Sequence, residues 1–500
     1  MAKRITSSDS LPIDESFKLS AGPGAGKTHW LVNHIKDVVS KSIKLDVARK
    51  IACITYSNVA VNTLNSRINI GSDIIEVCTI HSFLYKNIFK PYVHLIAEEK
   101  KIHLDKLTLV EDIFSNKKSN LDNARSQETL KKYRELGYIS FNDLLTLSTY
   151  LLEKYPNLYL LMSIKYPYIF IDEFQDTSPM LIQILTTLSN YGVVIGVVGD
   201  KEQTIYEFTG VQPDQFDKFS IQGMKEYEIH ENRRSTKPIV ELLNTMRTDF
   251  KQKCLNEAEG MVPELIIGDK NQCYEYCLRK CANENVQVLA FTNQTVNSMR
   301  PDASKHNSSR KLNFDFDNDT LRKLYLITWI KAIEYARMND VTNTLSQLKV
   351  FKQDQTDIKA KLIMLLQNYH CYSKGNVLDL YMFLVNYIGF YIPEIFDSST
   401  MGSYMNYSYS EAALGITIAD PKSIYKTIHK SKGEEYDNVL LVLSNEQDLK
   451  FLTQSRVNYR LYYVAASRAK KRLFINVPTL YDESLYHELC RIPINIFSYN

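Results

Sequence analysis

A cluster of small residues near the amino terminus constrains this chain more than any other feature. Residues 20–30 read SAGPGAGKTHW, and three of the 17 glycines in 500 residues fall within five positions of this segment. Small residues let backbone N–H groups turn inward around phosphate oxygens, and a following helix directs its positive end toward the same anion. The segment predicts a phosphate-binding loop, with a glycine turn that caps a helix as the simpler alternative.

The predicted loop matches the pattern G-x-x-x-x-G-K-[ST], with alanine in the place of the first glycine. In this pattern Lys27 reaches the β- and γ-phosphates, and the hydroxyl of Thr28 binds Mg²⁺. A nucleoside triphosphate and Mg²⁺ are therefore predicted to bind here. The loop residues assigned to the nucleotide are Ala21, Gly22, Pro23, Gly24, Ala25, Gly26, Lys27 and Thr28.

An apolar stretch that ends in two carboxylates supplies the second half of such a site. Residues 168–179 read YIFIDEFQDTSP. We expect Asp172 to hold Mg²⁺, directly or through water, and Glu173 to orient the attacking water and accept its proton. The alternative is a strand that ends in solvated acids, and the phosphate loop upstream argues against it.

A third predicted strand end carries Gln203, within the run VVIGVVGDKEQTIYEFTG at 193–210. A glutamine at this place can sense the γ-phosphate through the attacking water. Tyr206 and Phe208 alternate just beyond it. Aromatic residues beside a nucleotide site are either core residues or platforms on which nucleic-acid bases stack.

Short β-rich runs alternate with helical segments such as Asn58–Ile68 and Pro238–Thr248, which predicts parallel sheets flanked by helices. The runs form one group before residue 200 and another after residue 285, so two α/β domains are expected. The candidate strands are Ile51–Tyr56, Ile74–Thr79, Tyr168–Ile171, Val193–Val198, Val286–Phe291, Val439–Leu443 and Leu473–Val477.

Two stretches depart from this alternation. Residues 84–135 are lysine-rich and helical in character, with no convincing strand. Residues 301–419 begin with a polar loop and continue as helices, including the run LYMFLVNYIGFY at 380–391. That run predicts either a buried helix or a face that binds a partner.

Composition and charge limit the class of protein. Hydrophobic residues make up 44% and charged residues 23%, which excludes wholesale disorder. With 60 basic and 57 acidic residues the net charge is +3, so a nucleic-acid surface must be a local patch or channel. The apolar stretch Leu380–Ile392 is too short to cross a bilayer, and the amino terminus has no apolar signal region. We expect a cytoplasmic protein with no membrane partner.

The eight cysteines are dispersed and are expected to be reduced thiols. Cys273, Cys277 and Cys281 recur every four residues, which indicates one face of a helix. The outer pair would lie roughly 12 Å apart along the helix axis. Zinc–sulfur bonds of about 2.3 Å cannot span that separation. A buried helix face is therefore favoured over a metal site.

Further segments, in order with the phosphate loop and the acidic strand end, carry a family resemblance. They are CITYSNVAVNTLNSRI (53–68), VCTIHSF (77–83), YISFNDLL (138–145), HENRRST (230–236), VLAFTNQ (288–294), KTIHKSKGEEYDNVLLV (426–442) and RLYYVAASRAKKRLFI (460–475). In that order the chain resembles the superfamily 1 DNA helicases of the UvrD/Rep/PcrA type. The resemblance implies ATP as the nucleotide, with Mg²⁺, and movement on single-stranded or tailed duplex DNA in the 3′ to 5′ direction.

The same resemblance implies an α/β fold of two RecA-like parallel-sheet motor domains (a P-loop NTPase) with reduced, mostly helical inserted subdomains. The implied domains are 1A (1–83 and 136–227) with the helical insert 1B (84–135), and 2A (228–300 and 420–500) with the reduced helical insert 2B (301–419).

The resemblance also assigns further site residues. Arg234 matches the arginine that touches the γ-phosphate from the second domain, Arg468 matches the arginine finger, and Glu435 matches a ribose contact. A fixed guanidinium fork stabilises charge on the transferring phosphoryl group. Because both arginines lie far in sequence from Lys27, the site is expected to form between two domains. Arg233 and Gly433 complete the nucleotide set, and the matched DNA-binding residues are Tyr56, Asn58, His81, Tyr206 and Phe208.

Several features of the chain depart from the family. No glutamine precedes Gln127, and Arg233 stands where the family usually has a tyrosine, so both the base contact and adenine selectivity are open. The compact length and reduced inserts resemble the helicase subunits of two-gene antiphage systems such as Gabija, in which a nuclease is the partner. A nuclease partner protein is therefore expected, with no small-molecule substrate besides ATP. The alternative function is a nucleic-acid-gated ATPase sensor that regulates a partner nuclease without processive unwinding.

Overall fold

The computed structural model describes residues 2–46, 48–71, 73–105, 107–110, 124–205, 211–212, 214–247, 249–299, 314, 316–416, 423–453 and 459–499. The chain divides into two compact units. Unit 1 comprises Met1–Tyr92, Leu145–Phe291 and Lys426–Asn500, and unit 2 comprises Val93–Leu144 and Thr292–Tyr425.

The strands are β1 (Lys3–Ile5), β2 (Phe17–Ala21), β3 (Ile51–Thr55), β4 (Ile75–Thr79), β5 (Thr108–Val110), β6 (Tyr138–Ser140), β7 (Tyr168–Ile171), β8 (Val194–Gly199), β9 (Lys225–Ile229), β10 (Glu231–Asn232), β11 (Lys253–Cys254), β12 (Glu264–Ile267), β13 (Val286–Ala290), β14 (Tyr425–Thr427), β15 (Tyr436–Val442), β16 (Ala469–Val477) and β17 (Asn495–Ser498).

The helices are α1 (Lys27–Lys41), α2 (Asn58–Ile68), α3 (Ile80–Leu84), α4 (Lys90–Tyr92), α5 (Ala124–Glu135), α6 (Phe141–Lys154), α7 (Asn157–Lys165), α8 (Pro179–Asn190), α9 (Gln215–Lys218), α10 (Lys237–Met246), α11 (Lys270–Lys280), α12 (Asn293–Ser298), α13 (Thr320–Arg337), α14 (Val341–Leu348), α15 (Gln355–Gln367), α16 (Tyr369–Tyr372), α17 (Val377–Met382), α18 (Ser398–Met405), α19 (Tyr409–Ile416), α20 (Tyr459–Ala466) and α21 (Glu483–Leu489).

Unit 1 contains two parallel sheets. The first has the order β1-β9-β2-β8-β7-β3-β4, and the second has the order β14-β13-β15-β16-β12-β17. Their central strands β3, β7, β8 and β13 are buried throughout and mostly apolar, as parallel strands covered on both faces must be, and β15 is buried from Asn438 onward. The predicted alternation is confirmed. The candidate strands before residue 200 and those after residue 285 lie in separate sheets, but β9 and β12 fall between the two predicted groups. Because parallel strands end at one edge, the loops after β2, β7 and β8 are brought together.

Several strands of these sheets have no clear sequence signal. In β9 the run KEYEI mixes charged with apolar residues, and only Tyr227 and Ile229 are buried. This strand forms because its backbone pairs with β1 on one side and β2 on the other. Tertiary pairing therefore supplies an element that hydrophobic periodicity does not predict.

Unit 2 is built mainly from helices around its own apolar core, which includes Trp329, Phe351 and Phe390. The expectation of no strand in residues 84–135 is wrong, because β5 lies there and pairs in parallel with β6. A three-residue strand carries too little pattern to be recognised without its partner. The helical character of residues 320–416 is confirmed, and residues 301–313 lie outside the described part of the chain.

The run at 380–391 forms the end of α17 and a following π-helical turn, Phe383–Tyr387. Leu380 and Leu384 are fully buried, whereas Tyr387 and Tyr391 are exposed. The prediction of a buried helix is thus confirmed for one face of the run.

The cysteine prediction is also confirmed. Cys273 and Cys277 are buried on α11, and Cys281 is buried directly after it. Across the described ranges, no group of three or more His, Cys, Asp or Glu side chains is arranged to hold a metal ion. In the same ranges no helix has both the length and the apolar character needed to cross a membrane.

A buried histidine on α1 gives a testable pH dependence. The ring of His34 stacks on Trp30 and meets the edge of Phe17, and neither ring nitrogen has a hydrogen-bond partner among the described residues. Burial lowers the pKa of His34 to about 4. The folded state therefore binds fewer protons than the unfolded state between pH 6.5 and 4, and stability falls as the pH is lowered through that window.

Between pH 7 and pH 4, the free energy of unfolding of the His34→Phe variant should fall by about 3 kcal/mol less than that of the wild type. Thermal unfolding across a pH series measures this difference. His94→Phe, at an exposed position, should leave the acid slope unchanged. Identical slopes for His34→Phe and the wild type would contradict a buried neutral imidazole.

Candidate functional site

The predicted phosphate loop lies between the carboxyl end of β2 and the first turn of α1. Gly24 and Gly26 have φ values of +70° and +85°, in the left-handed region that favours glycine. A Cβ on Gly24 would lie 2.6 Å from Oδ1 of Asn232, so a side chain has no room there. The loop therefore opens α1 in the manner that the glycine cluster predicts.

Lys27 and Thr28 are placed by the first turn of α1. The Lys27 side chain is buried, and its Nζ donates hydrogen bonds to the carbonyl oxygens of Ala21 (3.1 Å) and Gly22 (3.3 Å). Burial lowers the pKa of Lys27, and the nearby charge of Glu173 opposes that shift. Thr28 Oγ1 donates to Oδ2 of Asp172 over 3.1 Å. A hydroxyl and a carboxylate at this separation are oxygen donors of the kind that Mg²⁺ requires, so these residues fit the ion.

The two acids stand directly after β7. Burial, aided by the charge of Glu173, raises the pKa of Asp172 to about 6. Burial opposes ionisation of Glu173 too, but the positive charges of Lys27 and Lys432 hold the pKa of Glu173 below its usual range. Glu173 has a φ of +59°, an uncommon value for a residue with a side chain. An ionised carboxylate held in this conformation beside Lys27 can accept a proton.

Gln203 connects the first sheet to Arg468. It lies in a short 3₁₀ turn, Lys201–Gln203, after β8 and is buried. Its Nε2 donates to Oδ2 of Asp200 (2.7 Å), and its Oε1 accepts a hydrogen bond from Nη2 of Arg468 (3.0 Å). Burial, with the repulsion of Arg234, lowers the pKa of Arg468 to about 9. The glutamine and the arginine finger predicted from sequence are thus hydrogen-bonded to each other.

Arg234 reaches the same region from the turn after β10. Its Nε donates to Oε2 of Glu435 over 2.7 Å, and its Nη1 donates to the carbonyl of Ser467. Although burial opposes it, the charge of Arg234 lowers the pKa of Glu435. The two side chains that the resemblance assigns to γ-phosphate and ribose are therefore paired with each other.

The remaining nucleotide residues are near the surface. Arg233 is about half exposed and forms an ion pair of 3.1 Å with Glu231. Gly433 has a φ of +84° and open space around its Cα. A half-exposed guanidinium can present its plane to a base once this ion pair is released, which is compatible with the stacking role implied for Arg233.

Sequence reasoning missed a buried ionic network behind Gln203. Arg247, which follows α10, donates through Nη1 and Nη2 to the carboxylate of Asp200, each over 3.0 Å. It also donates to Asp249 and to the hydroxyl of Tyr463. Asp200 follows β8 as Asp172 follows β7, which was an available signal. Nothing local to Arg247 indicated its role.

We expect the Arg247→Met variant to lose about 3–5 kcal/mol of stability, because Asp200 would remain buried with its main countercharge removed. Calorimetric unfolding measures the loss. The double variant Arg247→Met with Asp200→Asn should lose less than the sum of the two single variants. Additive losses would contradict a functional pair between these two side chains.

A second missed contact links Lys432 to the acidic strand end. Lys432 Nζ forms a short ion pair with the buried carboxylate of Asp176 and donates to the carbonyl of Gln203 over 2.9 Å. Lys432 precedes Gly433 in the segment that the resemblance assigns to nucleotide binding. This contact places one more cation beside Glu173.

The candidate DNA-binding residues lie at another part of the same sheet edge. Tyr56 and Asn58 follow β3, and His81 follows β4. Thr55 pairs with Thr79 in register, so these residues leave neighbouring parallel strands at the same edge. Burial lowers the pKa of His81, which favours the neutral ring. Tyr206 and Phe208 lie outside the described residues.

Comparison with known protein families gives two matches. The UvrD/REP helicase N-terminal domain matches residues 5–136 and 95–222. The UvrD-like helicase C-terminal domain matches residues 408–479. These ranges contain the phosphate loop, the acidic strand end, Gln203, Glu435 and Arg468.

Individual relatives agree with these domains. The chain is 24% identical to the Gabija protein GajB of Bacillus cereus, an alignment that covers 87% of this chain and 86% of the relative. It is 26% identical to DNA helicase II of Rickettsia typhi over 47% of this chain and 43% of the relative. It is 22% identical to the ATP-dependent DNA helicase PcrA of Staphylococcus epidermidis over 69% and 53%, respectively. The chain therefore spans about half the length of these two longer helicases. It has the RecA-like P-loop fold of parallel sheets, belongs to the UvrD-like helicases of superfamily 1, and is an ATP-hydrolysing enzyme of that family.

Proposed function

We propose that this chain uses ATP hydrolysis to move 3′ to 5′ along single-stranded DNA and to unwind tailed duplexes. The observation that carries the proposal is the 3.0 Å hydrogen bond between Gln203 and Arg468. Gln203 follows a strand of the first sheet, and Arg468 directly precedes a strand of the second. A change at the γ-phosphate can therefore alter the positions of residues on both sheets together, as a motor requires.

The hydrolytic steps follow from the side chains. Lys27 exchanges its bonds to backbone carbonyls for bonds to the β- and γ-phosphate oxygens. Glu173, whose carboxylate is ionised and stands beside Lys27, orients water and takes its proton as the general base. Arg234 and Arg468 stabilise the charge that develops on the transferring phosphoryl group. Thr28 and Asp172 would hold Mg²⁺, which would supply further charge neutralisation on the phosphate oxygens.

Nucleotide binding must replace the hydrogen bonds that Arg234 donates to Glu435 and to the carbonyl of Ser467. Its ion pair with Glu435 holds the guanidinium fork in one orientation. On ATP binding, Arg234 turns to the γ-phosphate, and Glu435 becomes available to the ribose. Arg233 stacks on the base. The exchange makes the geometry of the second sheet depend on the γ-phosphate.

DNA is proposed to bind at the edge that follows β3 and β4, through Tyr56, Asn58 and His81, with Tyr206 and Phe208 as stacking residues. The first three residues follow β3 and β4, which are neighbouring parallel strands, and this position supports the assignment. Phosphate contacts would dominate the affinity, so binding should weaken steeply with salt.

The domain division proposed for the chain follows the same family. The inserts 84–135 and 301–419 overlap the two segments of unit 2, Val93–Leu144 and Thr292–Tyr425, which supports a separate helical region. We also propose a cytoplasmic role in antiviral defence with a nuclease partner. Similarity to the Gabija protein GajB over 87% of the chain supports this proposal.

ATPase and strand-displacement assays with and without single-stranded DNA test the function. We expect DNA to stimulate hydrolysis, a 3′-tailed duplex to be unwound, and the Lys27→Ala variant to do neither. If DNA stimulated hydrolysis but neither tailed duplex was displaced, the helicase function would be rejected in favour of a DNA-gated ATPase sensor. A lack of stimulation by DNA would overturn both functions.

A further inference from the structure

Two buried amide side chains hold the outer face of the phosphate loop. Asn232 Nδ2 donates to the carbonyl oxygen of Pro23 over 3.1 Å, and Gln252 Nε2 donates to the same oxygen over 3.0 Å. Asn232 is fully buried and Gln252 is 4% exposed. The backbone N–H of Arg233 donates to the carbonyl of Gly24, the next one along the loop, over 2.9 Å. The consecutive carbonyl groups of Pro23 and Gly24 are thus held by hydrogen bonds from residues outside the loop.

The oxygen of the Asn232 amide is bonded to the turn that carries Arg234. Its Oδ1 accepts the backbone N–H groups of Arg234 and Ser235, each over 3.0 Å. These bonds shape the turn that carries the Arg234 guanidinium. One side chain is therefore bonded to the phosphate loop through its nitrogen and to the Arg234 turn through its oxygen.

Gln252 contacts the loop without contacting that turn. Besides Pro23, its Nε2 donates to the carbonyl of Glu231 over 2.8 Å. Asn244, on α10, exchanges hydrogen bonds with the backbone of Gln252 and holds it in place. Both amides therefore bind the loop, but of the two side chains Asn232 is the one that also accepts hydrogen bonds from the backbone of the Arg234 turn.

The loop residue before Pro23 is packed against the same glutamine. A Cβ on Gly22 would lie 2.5 Å from Cδ of Gln252, and Gly22 does not have a left-handed backbone conformation. An added methyl group is therefore opposed by the Gln252 side chain and not by backbone strain. Substitution of Gly22 by alanine should displace Gln252 from Pro23.

We propose that Asn232 and Gln252, the amide pair, are positioning residues of the nucleotide site. Carbonyls fixed outward keep the intervening N–H groups turned inward toward phosphate. The amide pair holds that conformation, and Asn232 in addition sets the distance from the loop to Arg234. This inference rests on the proposed function, because it takes the loop as the phosphate site and Arg234 as the γ-phosphate contact.

The test compares the affinities of the full chain for Mg–ADP and for a non-hydrolysable Mg–ATP analogue. Gln252→Ala should weaken both by roughly threefold to tenfold, with an unchanged ratio between them. Asn232→Ala should weaken both and also lower the preference for the analogue. Arg234→Ala should lower that preference while leaving the ADP affinity as in the wild type. Gln183→Ala, at an exposed position on α8, is the matched control and should change neither affinity.

A double-mutant cycle separates positioning from general damage to the fold. Gly22→Ala and Gln252→Ala should each weaken ADP binding to a similar extent, and the double variant should bind no more weakly than either single variant. Additive losses would overturn the proposal, as would wild-type ADP affinity in Gln252→Ala or an unchanged analogue preference in Asn232→Ala. If the wild type bound neither nucleotide, both the proposed function and this inference would fail. If the wild type bound ADP and Gln252→Ala bound it equally well, only the positioning role of the amide pair would be refuted.

Discussion

The Arg468→Ala variant is expected to hydrolyse ATP about 10³–10⁵ times more slowly than the wild type, the range by which an arginine finger accelerates phosphoryl transfer. In the structure this guanidinium is buried and hydrogen-bonded to Gln203, to the carbonyl of Val464 and to that of Glu434. These hydrogen bonds hold the guanidinium in one orientation, and a donor that is already oriented needs little reorganisation at the moment of reaction.

Single-turnover hydrolysis at saturating ATP and DNA measures this loss. Arg468→Lys keeps the charge but not the planar fork, so it should recover only a small part of the rate. Arg472→Lys is the matched control, because Arg472 lies on β16, the strand that directly follows Arg468, and pairs with Glu284 and Asn438 instead. A loss below tenfold in Arg468→Ala would remove this arginine from the transition state.

The Glu173→Gln variant is expected to lose about 10²–10⁴ in kcat, because an amide cannot accept the proton of the attacking water. Gln175 donates a hydrogen bond to the Glu173 carboxylate, and the positive charges of Lys27 and Lys432 favour the ionised form of that carboxylate. Glutamine has nearly the same shape, so the loop and the magnesium site should be preserved. ATP affinity should stay close to that of the wild type.

Equilibrium binding of ATP together with single-turnover rates measures both halves of this expectation. Glu264→Gln changes a buried carboxylate of the second sheet that contacts Tyr276 and Lys280, and it should leave the rate unchanged. If Glu173→Gln lost ATP affinity as strongly as it lost rate, Glu173 would be a binding residue and not the base.

The candidate roles of the phosphate-loop residues and of the acids after β7 are predictions from sequence, and each rests on a short local pattern. The glycines and Lys27 lie within one loop, and Asp172 and Glu173 directly follow an apolar run. Such patterns are constrained by backbone geometry alone: phosphate N–H contacts require small residues, and a buried parallel strand requires apolar ones. The strands β3, β7 and β8 were predictable for the same reason.

The elements that escaped prediction depend on partners far away in the chain. The charged strand β9 exists because β1 and β2 pair with it, and β5 exists because of β6. Arg247 is 47 positions from Asp200, and Asn232 is 209 positions from Pro23. No local composition distinguishes these side chains from ordinary surface arginine and asparagine.

A phosphate loop, an acidic strand end and parallel sheets can be inferred from the amino-acid sequence, because each is marked by a local pattern of residues. The contacts of Arg468 with Gln203, of Arg247 with Asp200, and of Asn232 with the phosphate loop and the Arg234 turn follow from the three-dimensional fold. Hydrogen bonds and ion pairs act over about 3 Å in space, whatever the separation along the chain.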